Sequence, residues 1–242
     1  MKLDILAFGA HPDDVELGCS GTLIVEKLAG KKIGVIDLTN GELGTRGSAE
    51  LRKEEAAAAS KILALDVREN LGFADGFFIN DEKHQRAIIT TIRKYQPEII
   101  LCNAPEDRHP DHGKAAQLVA DAAFLSGLRK IETSYNGILQ DAWRPKYVFN
   151  YVQDIYITPD FVIDITAAVE RKLESIKAYK TQFYNPAHNE PETYISTPDF
   201  FESILYRSRM LGKMIGVKHA EGFLSKKKIG FNGFDAFIKQ NT

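Results

Sequence analysis

Short apolar segments alternate with longer segments of helical periodicity along most of this chain, and this alternation is what most constrains its fold. We predict strands in six places, namely Leu3–Gly9, Lys32–Leu38, Val67–Leu71, Glu98–Cys102, Tyr147–Val152 and Phe161–Ile165. Apolar spacing and capping residues predict helices over Val15–Leu28, Ser48–Leu63, Asp81–Tyr95, Asp111–Phe124, Ala167–Lys180 and Pro198–Gly216. Strands that are apolar throughout are typical of parallel sheets covered on both faces. The sequence therefore predicts an α/β, Rossmann-like fold, in which a mostly parallel sheet carries helices on both faces.

Composition places the chain among ordinary globular proteins and argues against several partners. The 242 residues are 44% hydrophobic and 26% charged, so we expect a single domain spanning residues 1–242. The formal net charge of −2 gives no drive toward nucleic acid. No apolar run reaches the length of a membrane-spanning helix, and the N-terminal segment is unlike a signal peptide. We therefore expect no nucleic-acid or membrane partner and a cytoplasmic location.

Two of the predicted strands are followed by loops rich in histidine and acidic residues. The first strand leads into Ala10-His11-Pro12-Asp13-Asp14, and the strand ending at Cys102 leads into residues 103–112, NAPEDRHPDH. In open parallel sheets, ligands bind outside the carboxyl ends of the strands, at the point where the strand order reverses. We therefore expect the active site at the C-terminal ends of these strands.

Two histidines and one carboxylate of these loops match the ligand set of a catalytic metal. His11, Asp14 and His112 would supply two imidazole nitrogens and one carboxylate oxygen, which leaves a zinc ion one position for water. The same ligand types also hold iron(II), so Fe²⁺ or another divalent metal stays open beside Zn²⁺. At this point a metal-dependent phosphoesterase or an iron oxygenase remains an alternative to a hydrolase.

Neighbouring residues can carry the proton transfers that hydrolysis needs. Asp13 stands beside a predicted metal ligand and can take a proton from water. His109, oriented by Asp111, can deliver a proton to a leaving group. One metal, one base and one acid are therefore all available from the two loops.

These segments resemble the LmbE/PIG-L family of metal-dependent N-acetylglucosamine deacetylases. The resemblance rests on Ala10-His11-Pro12-Asp13-Asp14 and on His109-Pro110-Asp111-His112. It covers most of the chain, and it extends to the segments 16–23 (ELGCSGTL), 38–42 (LTNGE), 52–56 (RKEEA) and 219–223 (HAEGF).

Carried over residue by residue, the resemblance implies the ligand and catalytic roles given above, with one Zn²⁺ per subunit. It adds Arg52 at the mouth of the site and Tyr194, in the polar stretch 185–198, as a donor to the reaction's oxyanion. Relatives of this kind often form trimers or hexamers, so the resemblance also implies a homo-oligomer.

Within the family, the chain looks most like the branch that serves bacillithiol biosynthesis. The segments that carry this likeness are 44–47 (GTRG) and 217–221 (VKHAE). The branch implies hydrolysis of the N-acetyl group of N-acetylglucosaminyl malate, giving glucosaminyl malate and acetate. Malate carries two carboxylates, which favour arginine, and we predict that Arg46 or Arg108 binds them. Another N-acetylglucosamine conjugate or a thiol conjugate remains an alternative substrate.

Overall fold

A seven-stranded sheet forms the centre of the structure, a computed structural model that describes residues 1–186 and 190–235. Its strands are β1 (Ile5–Gly9), β2 (Ile33–Thr39), β3 (Val67–Phe73), β4 (Ile99–Cys102), β7 (Tyr147–Tyr151), β8 (Phe161–Asp164) and β9 (Ala220–Ser225). A separate hairpin pairs β5 (Ser134–Tyr135) with β6 (Ile138–Leu139). The helices are α1 (Asp14–Leu28), α2 (Ala49–Leu63), α3 (Glu82–Tyr95), α4 (Pro110–Leu125), α5 (Val169–Lys177) and α6 (Pro198–Met214).

The strand order is β3-β2-β1-β4-β7-β9-β8, and the first five strands run parallel. Strand β9 pairs antiparallel with both β7 and β8. The mostly parallel α/β sheet predicted from the sequence is therefore confirmed. The sequence analysis missed β9, because its acidic residue and glycine break the apolar run that marked the other strands.

Helices cover both faces of the sheet, as predicted. Leu6 and Phe8 of β1 pack on one face against apolar residues of α3 and α4. Ile5 and Ala7 point to the other face and pack with α1. This alternation follows from the two-residue period of a strand, and it buries β1 completely.

Several predicted boundaries move by a few residues, and local chemistry explains two of them. Ser48 caps α2, as predicted from its position three residues before Leu51, and Asp81 caps α3 rather than beginning it; each side chain accepts a backbone N–H three residues later. Helix α5 is shorter than the predicted Ala167–Lys180, and Ala168 stands at its N-terminal end. No helix in the described part of the chain is both long and apolar enough to cross a membrane.

The direction in which successive strands are added to the sheet reverses between β1 and β4. Strands β1, β2 and β3 are added toward one edge, and the connection through α3 then places β4 on the other side of β1. The loops that follow β1 and β4 flank this switch point. Both loops that the sequence singled out therefore lie at the expected ligand-binding edge.

Candidate metal and catalytic site

The carboxylate of Asp14 lies between the side chains of the two histidines predicted as metal ligands. Its Oδ2 is 3.5 Å from Nδ1 of His11, and its Oδ1 is 3.1 Å from Nε2 of His112. Asn103 and Gln153 each donate a side-chain hydrogen bond to this carboxylate. The three predicted ligands are therefore brought together, and the central one is held in a fixed orientation.

Each of the two histidines also contacts a carboxylate with its other ring nitrogen. Nδ1 of His112 is 2.6 Å from Asp107, while Nε2 of His11 is 3.0 Å from Asp75 and 3.4 Å from Asp111. Histidines that bind metals usually donate their second N–H to such an outer carboxylate, which fixes the tautomer and the ring orientation. Among the described residues, two groups of three have possible ligand atoms within 4.8 Å of one another, namely His11, His109 and His112, and His11, Asp75 and Asp111. The predicted set of His11, Asp14 and His112 overlaps the first group, and its donor types fit a divalent metal.

The surrounding charges shift the pKa values of these ligands in opposite directions. Burial acts to lower the pKa of His112, but Asp14 and Asp107 outweigh it and raise that pKa to about 9. Burial acts to raise the pKa of Asp14, but the two histidines hold it well below its usual range. The pKa of His11 is raised above its usual value, because Asp111, Asp14 and Asp75 outweigh burial. The carboxylates therefore stabilise positive charge on the two histidines, and the same negative charges would stabilise a divalent cation that displaces the histidine protons.

Asp13 combines a strained backbone with a perturbed carboxyl group. Its φ of 127° lies outside the regions that side-chain-bearing residues normally adopt, and such strain often marks functional sites. The side chain is buried, and Arg52 donates to it at 3.3 Å. Burial is the largest influence and Arg52 opposes it, so that the pKa of Asp13 is raised to about 7. A carboxyl group with this pKa is suited to general-base catalysis near neutral pH.

His109 lies over the ligand histidines, but Asp111 does not orient it in the way that we expected. The ring of His109 contacts that of His11 edge to face, with centroids 4.6 Å apart. Its Nδ1 accepts a hydrogen bond from the backbone N–H of Asp111, while the Asp111 carboxylate binds Gly76 N–H, Lys114 and His11. Burial and the neighbouring histidines lower the pKa of His109. The neutral ring with its proton on Nε2 is therefore favoured.

Tyr194 lies at the rim of the site rather than among the ligands. It opens a short 3₁₀ turn, Tyr194–Ser196, and is 56% exposed. Its hydroxyl donates to Asp154 at 3.3 Å, and the guanidinium of Arg108 lies 4.4 Å from the centre of its ring.

The three arginines named from the sequence occupy different places. Arg52 and Arg108 line the pocket of about 200 Å³ that contains the histidines. Arg46 is buried outside that lining, with its Nε 3.8 Å from Glu190. The sequence analysis missed Arg207, which does line the pocket.

Two further polar residues of the site were missed, and the strand-end rule could have found both. Gln153 follows β7 and Asp75 follows β3, so both stand just past the carboxyl end of a parallel strand. Asp107, which the sequence places in the second loop, proves to be the partner of His112.

Comparison with known proteins connects this geometry to a family. The family model described as "PIG-L: GlcNAc-PI de-N-acetylase" matches residues 6–123, a range that contains the three metal-ligand candidates. The crystal structure of the conserved protein TT1542 from Thermus thermophilus superposes with a TM-score of 0.85 at 33% identity, covering 96% of this chain and 99% of that one.

Two curated proteins with named activities are also similar. The "Diacetylchitobiose deacetylase" of Thermococcus kodakarensis is 29% identical over 90% of this chain and 81% of its own length. The "Probable N-acetyl-alpha-D-glucosaminyl L-malate deacetylase 2" of Bacillus anthracis is 24% identical over 74% of this chain and 81% of its own length.

Proposed function

Because the chain belongs to the PIG-L/LmbE family of deacetylases, we propose that it hydrolyses the N-acetyl group of an N-acetylglucosamine conjugate and releases acetate. The observation that carries this proposal is the placement of Asp14 between His11 and His112, with Asp13 buried beside them. This arrangement combines a cation site with a carboxyl group suited to act as a base. A metal-dependent amide hydrolase uses both.

We assign the metal to His11, Asp14 and His112 and name Zn²⁺ as the first candidate, with Fe²⁺ as the alternative. When bound, a divalent cation there supplies Lewis-acid polarisation of the acetyl carbonyl and of a water molecule. Asp107 keeps Nε2 of His112 directed at the site, and Asp75 does the same for Nδ1 of His11.

The protein's own residues then carry the protons. Asp13 takes a proton from the attacking water as the carbon–oxygen bond forms, and it returns that proton to the nitrogen as the carbon–nitrogen bond breaks. The pKa of about 7 lets this carboxyl group act in both directions. His109, neutral with its proton on Nε2, donates a hydrogen bond to the carbonyl oxygen as negative charge develops there. The products are acetate and a free amine.

For the conjugate itself we propose N-acetylglucosaminyl malate, the substrate named for the Bacillus anthracis relative. Arg108 and Arg207 in the pocket lining support an acidic aglycone. Diacetylchitobiose is the second candidate, because the Thermococcus kodakarensis relative matches more of this chain and at higher identity. The cytoplasmic location and the trimer or hexamer expected from the sequence stay predictions.

The test is amine release from N-acetylglucosaminyl malate, from N,N′-diacetylchitobiose and from free N-acetylglucosamine, each with Zn²⁺-loaded and Fe²⁺-loaded protein. We expect turnover that disappears with a chelator and returns when the metal is restored. Preference for the malyl sugar would support the first substrate, and preference for the disaccharide the second. Release of amine from none of the three would contradict the proposed function. It would favour the alternatives of a metal-dependent phosphoesterase or an iron oxygenase.

A further inference from the structure

Arg207 places a cation in the wall of the pocket without a partner to balance it. The residue is on α6, it is partly buried, and it lines the same pocket as Asp14 and His112. Within residues 1–186 and 190–235, the guanidinium forms no hydrogen bond and no ion pair. An arginine left in this state inside a binding pocket is unusual, because guanidinium groups are normally bonded when they lose water.

The nearest acidic residues are already committed to other partners. Asp154 pairs with Nε of Arg108 at 3.2 Å and accepts from Tyr194. Asp107 binds His112 at 2.6 Å and also accepts the backbone N–H of Ile155. Neither carboxylate can turn toward Arg207 without giving up a bond that positions the site or its rim.

Glu221, the third acidic neighbour, is bound more tightly still. Its carboxylate accepts hydrogen bonds from Nζ of Lys172 at 2.6 Å and from the backbone N–H and the hydroxyl of Thr22. Burial therefore outweighs the attraction of these distant acids and lowers the pKa of Arg207. A partly buried cation that has no protein partner gains from an anion that enters the pocket.

The two other arginines of the pocket are in a different situation. Nη1 of Arg52 donates to the carbonyl of Pro12 at 3.0 Å and to Asp13 at 3.3 Å, which holds this guanidinium beside the proposed base. Arg108 is paired with Asp154 and its side chain is 45% exposed, which leaves it at the rim. In the part of the chain that the structure describes, Arg207 is therefore the one of these three arginines whose guanidinium has neither a hydrogen bond nor an ion pair.

We propose that Arg207 binds a carboxylate carried by the aglycone of the substrate, so that the pocket selects N-acetylglucosamine joined to an acidic group over a neutral conjugate. This inference rests on the proposed deacetylation and assigns the acidic specificity to one residue of α6. Arginine suits the role because its planar fork can meet both oxygens of a carboxylate. Arg46, which the sequence analysis predicted as a carboxylate-binding residue, does not line the pocket.

The experiment compares Arg207→Gln and Arg207→Lys with the wild type and with Arg209→Gln, an exposed arginine two residues along the same helix. The kcat/KM is measured for N-acetylglucosaminyl malate and for N,N′-diacetylchitobiose. For Arg207→Gln we expect roughly a 10- to 100-fold loss on the malyl sugar, mainly through KM, and a far smaller change on the disaccharide. Arg207→Lys should recover part of the loss, and Arg209→Gln should resemble the wild type.

A second measurement is independent of turnover. Calorimetric binding of glucosaminyl malate should weaken by a similar factor in Arg207→Gln, whereas binding of glucosamine should change little. Equal losses on both ligands, or no loss on the malyl ligand, would overturn the assignment of Arg207. Absence of amine release would instead count against the proposed deacetylation, and the binding ratio would still decide the role of Arg207. Thermal melting of each variant shows whether it is folded.

Discussion

Asp107 is the residue on which the orientation of His112 depends. Its Oδ2 is 2.6 Å from Nδ1 of the histidine, and its Oδ1 accepts backbone N–H groups of Asp154 and Ile155. The carboxylate is thus anchored on one side and directs the imidazole on the other. At the proposed metal site, this geometry would make metal affinity sensitive to a residue that does not itself contact the metal.

We expect Asp107→Asn to weaken Zn²⁺ binding by roughly 10- to 100-fold, because the amide supplies a weaker acceptor to His112. Competition with a chromogenic chelator measures the change. Asp141→Asn, at an exposed position, is the matched control and should bind as the wild type does. An unchanged affinity in Asp107→Asn would remove His112, or its Nε2, from the ligand set.

Asp13 gives a second prediction, which separates catalysis from metal binding. Asp13→Asn keeps the size of the side chain and removes the proton acceptor, so kcat should fall by about 10² to 10⁴. Zn²⁺ content should remain one per chain, measured by atomic absorption. The melting temperature should not decrease, because burial disfavours the charged form that the substitution removes. A variant that turns over normally would place the base elsewhere.

The candidate ligands were predictable because His11 and Asp14 follow one strand directly and His112 ends the similar segment His109-Pro110-Asp111-His112 after another. Their outer partners were harder to predict. The side chains of Asp75 and Asp107 point in directions that depend on how neighbouring loops pack. That packing cannot be predicted from the spacing of nearby residues in the sequence. Arg207 lies on a helix far along the chain, and its helical periodicity alone gives no sign of a pocket.

At the scale of elements, α1 rests on β7 through a contact that only glycine permits. A Cβ on Gly18 would lie 2.2 Å from Cδ2 of Tyr151, whose hydroxyl donates to the carbonyl of Phe8. The ring is fully buried and fixed at both ends, so it cannot move aside cheaply. The start of α1 carries Asp14, and this contact therefore also sets the height of this candidate metal ligand above the sheet.

Gly18→Ala should destabilise the protein by about 1–3 kcal/mol, and by more if α1 has to shift as a whole. Urea unfolding followed by the fluorescence of Trp143, the single tryptophan, measures this. Gly233→Ala is the control, because a Cβ there meets nothing within 4 Å. Equal stability of the two variants would show that the close approach of α1 to Tyr151 is absent in solution.

The parallel part of the sheet was predictable from the sequence, and its antiparallel edge was only partly so. Strands β1 and β4 are apolar throughout and β2 is buried throughout, because helices cover both of their faces; the one acidic residue of β2, Asp37, is paired with Arg68. Strand β9, with the sequence AEGFLS, contains an acidic residue that is nevertheless buried. Its burial depends on a lysine of α5, a partner that lies 49 positions away and that no local pattern identifies.

At the scale of the whole molecule, Glu221 and Lys172 join the C-terminal strand to the first helix. Lys172 of α5 donates to Glu221 of β9 at 2.6 Å and to the carbonyls of Glu16 and Leu17 in α1. Glu221 also accepts the backbone N–H of Gly21 at 2.9 Å. Both charges are buried, so each depends on the other to offset the cost of losing water.

Removing one partner should therefore cost more than removing both. We expect Lys172→Met to lower the free energy of unfolding by about 3–5 kcal/mol, because Glu221 keeps its charge without a cation. The double variant Lys172→Met/Glu221→Leu should recover part of that loss. Lys180→Met, at an exposed position near the end of the same segment, should change stability by less than about 0.5 kcal/mol. Unfolding in guanidinium chloride measures all three. A double variant less stable than Lys172→Met would mean that the remaining bonds of Glu221 to α1, rather than its pairing with Lys172, hold β9 against the rest of the fold.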